Sequence, residues 1–366
     1  MMTIALDLAR KGAGQVEPNP AVGAVLVKKH QIIGQGYHHR YGAPHAEVDA
    51  LHDAKSRGQT VKGSTLYVTL EPCCHWGKTP PCTDAIIAAG IKKVIVAVED
   101  PSKKVAGKGI SILKKAGIEV AVGLMAQEAE DINPWFFKFH RTRKPWVICK
   151  WAQTLDGKLA ARTGHSKWIS GDASRQETHR VRRTCQAIVV GIQTVLADNP
   201  HLTVRLDDEP NPHAAAPNRV VLDSRLKIPL ASYLVRTARD VPTWVFTTRR
   251  AKASSVKQLQ ARGVNVQIMP SDTEGQIDLR KFLSFAASQG WARIFIEGGA
   301  TLHSRVLLDN LADELIVFQA SSLAMDAQAF QFHGRNCRLA SQFLRKFRFQ
   351  SVSKVGEDTV LRLLRK

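Results

Sequence analysis

Short apolar runs alternate along this chain with longer stretches in which apolar positions recur every three or four residues. Runs of the first kind read as buried strands and those of the second as amphipathic helices. The opening MMTIALDLARKGAG predicts a helix with Ile4, Leu6, Leu8 and Ala9 mostly inward. VGAVLV (22–27) and IIGQGY (32–37), across a short polar connection, predict a hairpin. HAEVDALHDAKSRG (45–58) predicts a helix with Ala46, Ala50, Leu51 and Ala54 on one face, closed by Gly58. TLYVTL (65–70) is a strand, TDAIIAAG (83–90) a helix ending at glycine, and VIVAV (94–98) a strand. KGISILKKAG and IEVAVG repeat helix then strand. Residues 124–144 predict one charged helix, and Pro145 marks the expected end of a first domain, 1–145.

The second domain, 146–366, opens with the strand WVICKWA and continues with the helix ASRQETHRVRR and the strand AIVVG. Strands at RVVLD, TWVFTT, VNVQIM, RIFIEGG and ELIVFQA alternate with helices at 252–262 and 278–289, and two strands around VGED (355–358) finish the chain. Both halves are therefore expected to be α/β, the second with an antiparallel end.

Composition narrows the function classes. A chain of 366 residues with 44% hydrophobic and 23% charged residues suits two ordinary globular domains. No apolar run approaches the ~20 residues that cross a bilayer, so no membrane partner is expected. The start lacks the apolar core and cleavage site of a signal peptide, and six cysteines in so long a chain are not a disulfide framework. A reducing cytoplasm is the expected location. The net charge of +20 is shared by both halves and admits nucleic acid or small anionic ligands. Aromatics, at 7%, are not interleaved with Lys and Arg as in a stacking platform for single strands, so small phosphate-bearing ligands are favoured.

Candidate chemistry concentrates in PHAE (44–47) and EPCCHWGKTPPC (71–82). His45, Cys73 and Cys82 offer one imidazole and two thiolates, a donor set that suits zinc. Three protein ligands leave a fourth position for water, as in catalytic sites, and Glu47 can face that position as a proton shuttle. A closed structural site using His75 as fourth ligand is the alternative, but it leaves Glu47 without a purpose. H-x-E followed by P-C…C is the nucleobase-deaminase signature, although eight residues here separate the two cysteines instead of two. In the second half, IEGGATLHSRVL (296–307) joins strand to helix through two glycines whose exposed amides suit phosphate. No G-x-G-x-x-G occurs, which excludes the Rossmann fingerprint.

The inserted loop widens the comparison. PNPAVG, HAE, EPCCHWGKTPPC and DPSKKVAGKG (100–109) resemble the bifunctional riboflavin-biosynthesis family, a pyrimidine deaminase fused to a reductase. The resemblance implies a cytidine-deaminase-like three-layer domain followed by a dihydrofolate-reductase-like domain. It implies Zn2+ on His45, Cys73 and Cys82, Glu47 as the catalytic residue, and Asn19 against the base. Cys74 stands where the family commonly has a small polar residue and receives no ligand role.

KWAQTLDGKLA, SKWISG, TVLADNPHLTVR, VLDS and EGGATL look like the reductase half. The resemblance implies NADPH bound by Ala152, Trp168, Thr194, Asp198, Ser224, Gly299, Ala300, Thr301, Leu302, His303, Ser304 and Arg305. It implies the phosphoribosyl pyrimidine held by Ser166, Arg182, Leu202, Arg205 and Glu297. The guanidinium forks of Arg182 and Arg205 suit a phosphate, and the basic second half favours NADPH over NADH. ASSLAMDAQAFQFH (320–333) departs from the pattern. Two other classes stay open at this point: an RNA-acting deaminase with a basic binding domain, and a non-catalytic zinc-stabilised binding protein. A homo-oligomer is compatible with all three.

Overall fold

The computed structural model describes residues 1–162, 169–206, 216–332 and 346–366. The chain divides into two compact units, Met1–Arg143 and Lys144–Lys366. In the first, α1 (Met2–Gly12), β1 (Gly23–Lys28), β2 (Gln31–Tyr37), α2 (Ala46–Ser56) and β3 (Thr65–Val68) are followed by α3 (Cys82–Ala88), β4 (Lys93–Val96), α4 (Lys108–Lys115), β5 (Glu119–Val122), α5 (Ala126–Ile132) and α6 (Pro134–Thr142). The sheet order is β2-β1-β3-β4-β5, antiparallel on the hairpin side and parallel from β3 to β5.

The hairpin is tight because Lys29 and His30 both take positive φ, 48° and 63°, the geometry that matches strand twist. Successive residues of a strand face opposite sides of the sheet, and this alternation places two helices. A Cβ at Gly23 would run into the backbone of α1, whereas one at Gly36, opposite Ala24, would run into the backbone of α2. The two helices therefore cover opposite faces. Ala24, Leu26, Ala46, Ala50, Ala54, Leu66, Ile86, Val94 and Leu113 fill the α2 side.

The expected single helix over 124–144 is two. Pro134 has no N–H to continue α5 and instead opens α6 in its first turn. Asn133 between them accepts from Ala21 N and donates to Ala21 O, both at 2.8 Å, which anchors the break to the segment before β1.

The second unit runs β6 (Trp146–Gln153), α7 (Asp172–Arg183), β7 (Ala187–Gly191), α8 (Ile192–Asp198), β8 (Asn218–Leu222), α9 (Tyr233–Arg236) and β9 (Thr243–Thr247). It continues with α10 (Ala253–Gln260), β10 (Asn265–Ile268), α11 (Leu279–Ser288), β11 (Arg293–Ile296), α12 (Ala300–Leu308), β12 (Glu314–Gln319), β13 (Phe347–Val355) and β14 (Asp358–Arg365). The described strands form one sheet, β10-β9-β8-β7-β11-β6-β12-β14-β13. It is parallel through β12, and β14 and β13 are the antiparallel end. Its parallel strands are apolar on both faces: Val147, Val189 and Val220 look into one core, while Ile148, Ile188 and Val221 look into others. Residues 320–332 form no helix or long strand, and Asp156 holds them by accepting from Ala324 N and Met325 N.

The close approach of β2 to α2 generates a test. Gly36→Val drives two methyl groups into the α2 backbone and should lower the stability of the first unit by about 3 kcal/mol. Urea denaturation measures it, and a loss below about 1 kcal/mol would contradict the packing described.

Candidate active sites

In the first unit, two strand-to-helix connections meet. His45 is the N-cap of α2, Cys82 is the first residue of α3, and Cys73 lies in the loop that leads from β3 to α3. His45 Nδ1 lies 3.4 Å from Cys73 Sγ and 3.3 Å from Cys82 Sγ. The backbone N–H of Cys82 donates to Cys73 Sγ at 3.3 Å, so the loop closes on itself through the ligand atom. One ligand atom from each residue lies within 4.8 Å of the others. That donor set fits zinc and leaves a coordination position free. His75 is exposed and outside the cluster, so the described residues do not form a closed Cys2His2 centre. Cys74 also turns away, its Sγ 3.9 Å from Lys104 O.

The electrostatics of the cluster are those of a site that takes and gives protons. A hydrogen bond with the Cys82 side chain, aided by His45, brings the Cys73 thiol down to about 4, while Cys82 is raised. Glu47, in the first turn of α2, is only 3% exposed. Burial first, and the nearby Cys73 second, push its carboxyl up to about 7.

His45, Glu47 and Cys73 open onto a cavity of about 420 Å³, which Asn19 and His38 also line. His38 Nδ1 is 3.0 Å from Pro44 O and its Nε2 is 3.3 Å from Asn19 Nδ2. A carbonyl only accepts, so Nδ1 carries the proton, and Nε2 accepts from the Asn19 amide. That relay leaves Asn19 Oδ1 as an acceptor for the cavity. His38 was not singled out from the sequence; it is one of two adjacent histidines, and only the fold shows which is buried. The mouth of the cavity is basic, with His75, Lys78, Lys104 and His140, and Lys78 Nζ rests 4.1 Å from the Tyr41 ring centre.

Glu71 explains why the EPC and DPSKKVAGKG segments occur together. Its carboxylate accepts from Asp100 N, Gly107 N and Ile110 N at 3.2, 2.9 and 3.1 Å, which pins the second loop against the first. Gly107 takes φ 76°, and a Cβ at Gly109 would collide with Pro72 O, so both glycines are required by this contact.

In the second unit, the expected cofactor residues fall at the C-terminal ends of neighbouring parallel strands, where ligands of such sheets bind. Ala152 is at the end of β6, Thr194 and Asp198 follow β7, Ser224 follows β8, and Gly299–Arg305 follow β11. Ala300, Leu302, His303 and Ser304 are buried, whereas Gly299 and Thr301 are exposed. Burial brings His303 down to about 4, outweighing the opposing pull of the backbone at Lys150 and Gly298. Arg305 donates to Asp272 Oδ2 and Ile277 O.

The two expected phosphate arginines differ. Arg182 grips Glu297 with Nε and Nη2 at 2.6 and 2.8 Å and gives Nη1 to Thr203 O, so its fork is committed within the protein. Arg205 is exposed, and among the described residues its side chain hydrogen-bonds His201 Nδ1, at 3.2 Å. Leu202 is buried with φ 51°, a strained turn that places Arg205. Lys150, which the sequence reading passed over, lies beside Glu297 and Arg182, and burial lowers its pKa. A lysine inside an alternating strand reads as solvent-facing until its neighbours are known. Ser166 and Trp168 lie outside the described residues.

A family model described as the cytidine and deoxycytidylate deaminase zinc-binding region matches residues 1–98. One described as the RibD C-terminal domain matches residues 145–361. The riboflavin biosynthesis protein RibD of Bacillus amyloliquefaciens is 42% identical over 360 residues, 98% of this chain and 94% of that protein. The Escherichia coli protein of the same name is 38% identical, covering 99% and 98%. The structure of Acinetobacter baumannii RibD is similar with a TM-score of 0.84 at 37% identity, covering 100% of this chain and 98% of that one. A diaminohydroxyphosphoribosylaminopyrimidine deaminase/5-amino-6-(5-phosphoribosylamino)uracil reductase from Thermotoga maritima is similar with a TM-score of 0.77 at 33% identity, covering 100% and 97%. The chain belongs to the RibD family of bifunctional riboflavin-biosynthesis enzymes, which join a zinc-dependent deaminase to an NADPH-dependent reductase.

Proposed function

We propose that the first unit hydrolyses the amine from 2,5-diamino-6-(5-phosphoribosylamino)pyrimidin-4-one and that the second reduces the ribosyl group of the deaminated product to a ribityl chain. The observation that carries the reading is Glu47, a buried carboxyl near neutral pKa, on the same cavity as His45 and Cys73. His45, Cys73 and Cys82 would hold zinc, which would supply an acidified water. Glu47 takes a proton from the attacking water and returns it to the leaving amine, so that ammonia departs and a carbonyl remains on the ring. Asn19 Oδ1 accepts from an N–H of the pyrimidine, aimed by His38. The basic mouth receives the phosphate.

In the second unit NADPH, when bound, supplies a hydride. Ala152, Trp168, Thr194, Asp198, Ser224 and the turn from Gly299 to Arg305 line it, the turn chiefly through its backbone. Arg205 meets the substrate phosphate. Arg182 acts by fixing Glu297, and with Ser166 and Leu202 these residues shape the pyrimidine side. Both substrates are small molecules, and the thiolate ligands and NADPH suit a reducing cytoplasm.

The two chemistries should separate by mutation. Glu47→Gln keeps the size of the side chain and removes the proton carrier, so deamination should fall by ~10²–10⁴ while reduction of the deaminated pyrimidine stays near wild type. Arg205→Ala should raise KM for that pyrimidine and spare ammonia release. Loss of reduction in a folded Glu47→Gln protein would sink the two-site reading.

A second prediction tests the ligand set. Cys74→Ser should retain about one zinc per chain and near-normal deamination, whereas Cys73→Ser should lose metal. Metal analysis decides it, and a zinc-free Cys74→Ser protein would show that Cys74 is a ligand.

A further inference from the structure

The proposed cofactor contacts follow the order of the strands. Moving along the C-terminal edge from β6, they pass Ala152, the turn after β11, the residues after β7, and Ser224 after β8. The next strand, β9, ends at Thr247 and continues into Thr248, Arg249 and Arg250. Four strand spacings separate β6 from β9, roughly 19 Å at ~4.8 Å each. We take the cofactor proposed above to lie along this edge with its nicotinamide at the β6 end, which brings its adenosine ribose between β8 and β9.

One turn organises that end of the edge. Ser271 and Ile277 pair across it, and it gathers residues from three other segments. Ser224 Oγ donates to Gln276 Oε1 at 3.0 Å and accepts from Ile277 N at 3.1 Å. Arg305 donates to Asp272 and to Ile277 O. The guanidinium of Arg250 rests on Gly275, where φ is 73° and a Cβ would overlap it. Thr248 ties Arg250 to Ser224 as well, since Thr248 Oγ1 donates to Ser224 O at 2.7 Å and accepts from Arg250 N at 3.3 Å.

The two arginines at this turn are not equivalent. Asp272 neutralises Arg305, whereas Arg250 is exposed and has no carboxylate partner among the described residues. A cation held beside Ser224 without a counter-charge suits a phosphate, because a guanidinium fork makes paired charge-assisted hydrogen bonds to one. We propose that Arg250 receives the 2′-phosphate of NADPH and is the residue by which the reductase selects NADPH over NADH. The proposal rests on the cofactor placement of the proposed function, and it adds the discriminating residue.

The test uses the full-length enzyme with the deaminated pyrimidine and either cofactor. Arg250→Ala should lower kcat/KM for NADPH by about 10- to 100-fold, mainly through KM, because one charge-assisted pair is lost. The value for NADH should be unchanged, and inhibition by 2′,5′-ADP should weaken in parallel. Arg250→Lys should recover part of the preference, and Arg249→Ala should leave it intact. Equal losses with both cofactors would assign Arg250 a structural role and overturn the proposal, as would an unaltered preference. If the wild-type enzyme binds neither cofactor, by NADPH and NADH fluorescence, the placement beneath the proposal fails with it. An unchanged kcat/KM for NADH, read in the same unit as the substitution, separates these outcomes from misfolding.

Discussion

Parallel strands cannot be joined by a tight turn; each pair needs a crossover, and the crossover delivers the chain to the next helix from the same edge of the sheet. That constraint organises both units. In the first, β3 and β4 each leave the sheet through a loop that ends at a helix, α3 and α4, and those loops carry EPCCHWGKTPPC and DPSKKVAGKG. In the second, seven neighbouring strands from β10 to β12 run parallel, so the loops after β6, β7, β8, β9 and β11 line up along one edge. Residues far apart in the sequence become neighbours because topology, not any local propensity, places the strand ends together.

Within that frame, two buried carboxylates of the first unit have different surroundings and different uses. Glu71 accepts from three backbone amides, so its charge is met by fixed dipoles and it serves to lock one loop against another. Glu47 is equally buried but lies beside the sulfurs of the metal cluster, and burial raises its pKa toward neutrality. A carboxylate that is fully hydrogen-bonded holds structure, whereas one that is buried and held near neutral pKa can carry a proton. The same contrast separates Arg182 from Arg205. The first is bound up with Glu297 and Thr203 O, and the second faces solvent.

The hairpin, the helix of α2 and the alternation of the second half were legible because each is set by local periodicity and turn residues. The break between α5 and α6 was not read, although Pro134 marks it, because the apolar pattern continues through it on both sides. The short helix α9 also escaped, and its reason is tertiary. Arg219 reaches beneath it with no exposed surface and donates to Thr237 Oγ1, Thr237 O and Val241 O at 2.8, 2.9 and 3.0 Å. Burial lowers this arginine to about 10. In RVVLD the residue reads as the polar end of a strand; its role in satisfying carbonyls from the α9 region depends on contacts some twenty positions away.

The sequence by itself determined the chemistry of the first site. Histidine, two cysteines and a glutamate at their spacing define a donor set and a proton carrier wherever the chain folds so as to join them. It also determined the succession of strands and helices, since periodicity is a local property of the chain. Only the tertiary structure decided the rest. It selected which of two adjacent histidines orients Asn19, because burial and the Pro44 carbonyl fix the ring's proton. It committed Arg182 to an internal carboxylate and, among the described residues, gave Arg205 and Arg250 none, because pairing depends on which strand ends the sheet order makes adjacent. Residue type specifies what a side chain can donate or accept, but the partners that remain available to a ligand are set by long-range packing.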